Sequence, residues 1–103
     1  MSKYFISAGI ELKDGASLQE AESGLRLLAE HTQSEPGCLL FEIRQNLKEP
    51  GKFTLWECWT DRQALADHFE ADHTRAYLAR DLTEVAYIEE LGEIGQLTSK
   101  SAA

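Results

Sequence analysis

The segment Trp56-Glu57-Cys58-Trp59, followed by Ala64-Leu65-Ala66-Asp67-His68 and then His73, gathers more groups able to move a proton than any other part of the chain. Glu57 shares strand parity with Phe53, Leu55 and Trp59, so its carboxylate points to the side where apolar side chains collect. Left unpaired there, it has a raised pKa and becomes a proton acceptor near neutrality. The structural alternative is a carboxylate bonded to an arginine or a helix terminus, which merely orients the sheet. His68 lies four residues after Ala64 and three after Leu65, on the core-facing stripe of its helix. A neutral imidazole at a pocket wall can take or give a proton at physiological pH, although a satisfied, half-buried histidine fits the same spacing. His73 begins the next helix, either at a cavity mouth or in solvent. His31, near the end of the first helix, reads as structural, since a cation there complements the dipole.

Aromatic residues surround these groups. Trp56 and Trp59 fall on opposite parities, so they cannot line one cavity. Trp59 joins Glu57 on the helix side, whereas Trp56 faces outward, and core packing is the default for both. Tyr4 and Tyr87 fall in strands that can be neighbours, and a phenol in a pocket could hydrogen-bond a substrate oxygen. The sequence has no phosphate-cradling Gly-rich loop, no G-x-S-x-G elbow, no H-x-x-x-H and no carboxylate cluster suited to a hard metal, so neither a cofactor nor a metal is expected. Cys38 and Cys58 are isolated thiols without metal spacing and read as buried filler.

The elements that must position these side chains follow from periodicity. Residues 4–12 alternate, with Tyr4, Ile6, Ala8, Ile10 and Leu12 on one face, as a half-buried strand does. Ser17 and Glu20 form a capping-box pattern, after which Leu18, Ala21, Leu25, Leu28 and Ala29 recur at helical spacing. Glu35-Pro36-Gly37 is a turn. A strand follows from Cys38 to Gln45, with Leu39, Phe41 and Ile43 on one parity, and a hairpin partner runs from Phe53 to Thr60. Thr60 and Gln63 repeat the capping pattern, predicting a helix over 61–70. Asp72 is the expected cap of another helix over 73–82, and Val85, Tyr87, Glu89 and Leu91 alternate in a last strand.

The order β-α-β-β-α-β, with its second helical segment broken in two, is the split β-α-β ferredoxin-like arrangement. It predicts an α+β protein with a four-stranded antiparallel sheet and helices on one face. At 103 residues the chain suits one domain, taken as residues 1–97, with a disordered tail at 98–103. Apolar side chains fall on both parities of the hairpin, so the bare face needs cover, and a homodimer packing sheet on sheet is expected. A net charge of −8 argues against nucleic acid and anionic lipid as partners. No stretch approaches the ~20 apolar residues of a membrane span, and no signal-like apolar block follows Met1, so a cytoplasmic location is expected.

At Glu35-Pro36-Gly37-Cys38 leading into Leu39-Leu40-Phe41-Glu42, then Trp56-Glu57-Cys58-Trp59, Ala64-Leu65 with His68, and His73, the chain resembles the antibiotic biosynthesis monooxygenase family over roughly residues 3–92. That family includes quinol monooxygenases and haem-degrading relatives. The resemblance implies a dimeric α+β barrel with a pocket between each sheet and its helices. It also implies oxidation of a small aromatic, quinol or polyketide-like compound by O2 without metal, flavin or haem. Carried over by position, Glu57, His68 and His73 would be the polar members of the pocket and Trp59 and Phe69 its apolar wall, with Tyr87 a further substrate contact. Haem degradation fits less well, because Phe5-Ile6-Ser7-Ala8-Gly9 lacks the asparagine that those relatives carry on the first strand. A cofactor-free isomerase of a small carbonyl metabolite, and a non-catalytic dimer that binds a metabolite or haem, remain alternatives.

Overall fold

The computed structural model describes residues 3–95. The expected tail at 98–103, and the last residues of the expected domain, lie outside them. The chain runs β1 (Tyr4–Leu12), α1 (Leu18–Thr32), β2 (Cys38–Gln45), β3 (Lys52–Trp59), α2 (Arg62–Glu70), α3 (Asp72–Ala79) and β4 (Thr83–Leu91). The strands form one antiparallel sheet in the order β2-β3-β1-β4, the ferredoxin-like topology. Ile6, Ala8 and Ile10 of β1 and Phe53, Leu55 and Trp59 of β3 turn one way. They pack beneath Ala21, Leu25 and Leu28 of α1, Ala64 of α2 and Tyr77 of α3, forming the hydrophobic core.

Local chemistry sets the element ends. The Ser17 hydroxyl accepts the Glu20 backbone N–H at 3.2 Å, as its spacing predicts. Helix α2 starts one residue later than its sequence suggests: Asp61, not Thr60, is the cap, and its carboxylate accepts the Ala64 N–H at 2.9 Å. Thr60 instead donates its backbone N–H to the Gly37 carbonyl, tying β3 to the turn before β2. Asp72 is the first residue of α3 rather than its cap, which still sets its charge at the positive end of the helix. That helix ends at Ala79, short of Leu82, because Asp81 adopts a left-handed φ of 54° and Leu82 drops into the core.

Two irregularities change the parity read from sequence. Strand β2 shifts register between Cys38 and Leu40, so Leu39 leaves the face of Phe41 and is half exposed beside Leu40, Trp56 and Cys58. Strand β4 shifts where it passes Gly9 and Ile10, so Val85 lies on the face of Ile10, while Tyr87, Glu89 and Leu91 lie on the face of Gly9, Ser7 and Phe5. The uncovered face therefore carries Phe5, Leu39, Leu40, Trp56, Cys58, Tyr87 and Leu91. Phe5 and Trp56 stack there with centroids 5.6 Å apart.

Candidate functional site

Strand alternation delivers Glu57 to the helix side, where only 6% of it is exposed. Its Oε1 accepts the indole N–H of Trp59 at 2.9 Å. That partner is neutral and leaves the carboxyl mainly at the mercy of desolvation. Burial raises its pKa to about 7, the indole hydrogen bond opposes the rise, and the Glu35 carboxylate adds to it. Among the described residues neither an arginine nor a helix terminus holds this group, contrary to the structural alternative for it.

Helix α2 brings in the next member. Ala64 and His68 are one turn apart and both buried. The His68 ring lies among Phe41, Trp59 and Phe69, with centroids at 5.4, 4.9 and 5.5 Å. Its approach depends on a small residue in the preceding turn: a Cβ on Gly37 would stand 2.3 Å from the Ala64 Cβ, so only glycine lets α2 settle this closely. Two residues earlier, Glu35 reaches both histidines through one oxygen. Its Oε2 is 2.7 Å from His68 Nδ1 and 2.6 Å from His73 Nε2. Thr74 Oγ1 stands 3.3 Å from the same His68 nitrogen. An ionised carboxylate only accepts, so each ring carries a proton on the nitrogen facing Glu35. In the neutral rings this leaves His68 Nε2 and His73 Nδ1 with free lone pairs. Desolvation lowers the His68 pKa and Glu35 pulls it back up, so burial decides and the ring is held neutral.

Glu57, Trp59, His68, Phe69 and His73 thus form one contiguous cluster. Tyr87 does not join it, because it pairs with Gly9 on the opposite face of the sheet, where its ring lies over that glycine. The interior between sheet and helices, where the resemblance implies a pocket, is filled: Phe41, Trp59 and His68 are 4%, 0% and 4% exposed. Open space begins at Glu35 and His73. These two line a cavity of about 500 Å³ with Glu30, His31, Ser34 and Pro36. His73 and His31 also border a smaller apolar pocket of about 180 Å³ with Leu27, Ala76 and Tyr77. His31, read from sequence as structural, meets His73 edge-on at 5.9 Å. Glu35, Phe41 and Thr74 are members that residue types alone did not single out. The one available signal was an acid immediately before Pro36-Gly37, in a turn that must sit against the next layer.

The order of these pieces along the chain is that of a known family, and the antibiotic biosynthesis monooxygenase profile matches residues 4–80. The chain belongs to this family. Among its relatives, the uncharacterized protein YjcS of Bacillus subtilis strain 168 is 30% identical over 88 residues, covering 85% of this chain and 84% of YjcS. A solved structure of a protein YjcS, 29% identical, superposes with a TM-score of 0.81 over 87% of this chain and 97% of its own. A Nitrosomonas europaea protein provisionally assigned to the same family is 22% identical, with a TM-score of 0.73 over 96% and 94% of the two chains, and shares the fold. No helix among the described residues is long and apolar enough to cross a membrane.

Proposed function

We propose that this antibiotic biosynthesis monooxygenase family member is a cofactor-independent monooxygenase of small aromatic, quinol or polyketide-like compounds, working as a cytoplasmic homodimer. One observation carries the reading: two imidazoles share a single oxygen of Glu35, and the His68 ring packs on Trp59, whose indole hydrogen-bonds the buried Glu57 carboxyl. Family membership supports monooxygenation as the reaction class. An electron-rich phenol, once deprotonated, can itself give an electron to O2, so the protein has only to bind it, exclude water and accept the proton.

Substrate enters from the side of His73, whose free Nδ1 takes the phenolic or ring C–H proton. Glu35 stabilises the imidazolium that results, and through the same oxygen it holds His68 in its tautomer. Trp59 and Phe69 keep the His68 side apolar. For a substrate with a ring CH2 beside a phenol, the CH2 becomes C=O. One atom of O2 stays in that carbonyl, and the other leaves as water with the two hydrogens. Trp56 and Leu39 belong to the surface that a second copy covers.

The test is oxygen uptake by chelator-treated protein with anthrone-type and quinol substrates. Replacing both histidines, His68→Ala with His73→Ala, lowers turnover by at least about 100-fold, the lower range for general acid-base catalysis. Turnover that survives this double change, in a folded variant, overturns the proton assignment. Turnover that persists without O2 replaces monooxygenation with the isomerase reading.

A further inference from the structure

The three groups that converge at the α1–β2 turn have a second chemistry. Glu35 Oε2, His68 Nδ1 and His73 Nε2 all lie within 4.8 Å of one another, two imidazole nitrogens facing one carboxylate oxygen. This donor set suits divalent transition ions, which favour imidazole nitrogen with a carboxylate and an open position. The two nitrogens are 2.7 and 2.6 Å from the shared oxygen. Tetrahedral ligands about 2.0–2.1 Å from zinc stand roughly 3.3 Å apart, so each imidazole needs to part from the carboxylate oxygen by ~0.6 Å, and the two nitrogens to turn toward each other within the 4.8 Å that spans the group, for an ion to replace the shared hydrogen bonds. The ligand side chains are 12%, 5% and 20% exposed for Glu35, His68 and His73, so the site is largely dry but reachable. Glu35 and His73 border the open cavity of about 500 Å³, which gives an ion an entry path and leaves room for a remaining water ligand, and Glu30 on its rim adds negative charge.

We propose that Glu35, His68 and His73 bind one divalent transition-metal ion of the zinc type, and that the bound ion switches off the site by holding His73 through Nε2, which leaves the ring's one proton on Nδ1, the nitrogen that would accept from substrate. The ion site stands on its own geometry, and the inhibition rests on the function proposed above. With the ion on Nε2 the neutral His73 ring moves its proton to Nδ1, which then donates and cannot accept, and the Glu35 oxygen that would stabilise an imidazolium is taken up by the ion.

Titration of the chelator-stripped full chain with zinc chloride, read by calorimetry and by competition with a chromophoric chelator, is expected to show one ion per chain. Cobalt(II) in its place reports ligand number and nitrogen coordination through its visible spectrum. His73→Ala and Glu35→Gln, checked for folding by circular dichroism, weaken zinc binding by more than the ~10–100-fold that changes outside the ligand shell cost. Glu30→Gln leaves it nearly unchanged. No zinc uptake, or uptake equal in the ligand variants, overturns the site and assigns any binding to surface acids. Oxygen uptake measured on the same samples separates the two claims. Zinc at the triad with turnover undiminished overturns the inhibition alone, and a chain inactive with or without zinc refutes the proposed function while the binding result still decides the site.

Discussion

The two faces of the sheet invert the usual division of labour. Strand β3 sends Glu57 and Trp59 inward and Trp56 outward, so a carboxylate is buried while a tryptophan three residues from its twin meets solvent with 37% of its surface. A strand under pressure only to fold places its charge outside and its large rings inside. The helix-covered face departs from that rule where it holds titratable groups among aromatics, and the other face departs from it by exposing Trp56, Leu39 and Leu91. The first departure coincides with the site proposed for proton transfer. The second has a cost only until something covers it. The two tryptophans should therefore respond to substitution in unlike ways.

The largest effect belongs to Trp59→Ala. Trp59 is fully buried, meets Phe41 and His68 ring to ring and gives Glu57 its hydrogen bond. Its removal opens a cavity and strips a buried carboxyl of its partner, for a loss of about 3–5 kcal/mol by denaturant titration. A loss below ~1 kcal/mol would mean that the aromatic cluster is not tightly packed and that the faces differ less than their burial implies.

Glu57→Gln sharpens the comparison through pH. The folded pKa of about 7 lies above the ordinary glutamate value of 4.5, so between these limits the folded chain holds a proton that the unfolded chain has released. The stability this group contributes is full below pH 4.5 and is lost as pH rises through 7, by up to about 3 kcal/mol. His68 works in the opposite sense: its lowered pKa makes its contribution fall away as pH drops below its ordinary range. Subtracting the Glu57→Gln profile from that of the natural chain removes the histidine and isolates the carboxyl. A difference curve flat from pH 4.5 to 7 would show that water reaches Glu57 in solution.

Much of this division was legible in the sequence, because strand parity is a local property. Alternation placed Glu57 and Trp59 together and Trp56 opposite without any tertiary information, and capping and turn signals gave the element order. What failed was whatever depends on a neighbour. Leu39 and Val85 moved off their expected faces because register shifts are set by the pairing of two strands, which a single strand does not encode. Tyr87 left the site because parity within β4 has meaning only once β4 is registered against β1. Glu35 is far from its histidines in sequence and meets them only because Gly37 lets α2 pack down on the turn. The pocket implied by family resemblance is occupied for a similar reason: the volumes of Phe41, Trp59 and His68 add up only in three dimensions.

The smallest effect, and the sharpest contrast with Trp59, is expected from Trp56→Glu. In a lone chain this change costs about 1 kcal/mol, far less than Trp59→Ala, since a ring 37% exposed loses its stacking on Phe5 and the new carboxylate lies across from Glu42. In the proposed dimer the same ring lies at the centre of the face, beside the groove of about 580 Å³ that Phe5, Leu39, Leu40 and Leu91 line with it. There the new carboxylate is desolvated against its symmetry mate, and a central tryptophan is the kind of residue whose loss costs about 2 kcal/mol or more of association, roughly a 30-fold weaker dimer. Sedimentation across a protein dilution series, run beside denaturation at one low concentration, separates the two. Association weakened well beyond the small loss in monomer stability places the cover of this face in a second copy. A natural chain that already sediments as a folded monomer at micromolar concentration leaves the outer tryptophan without that purpose.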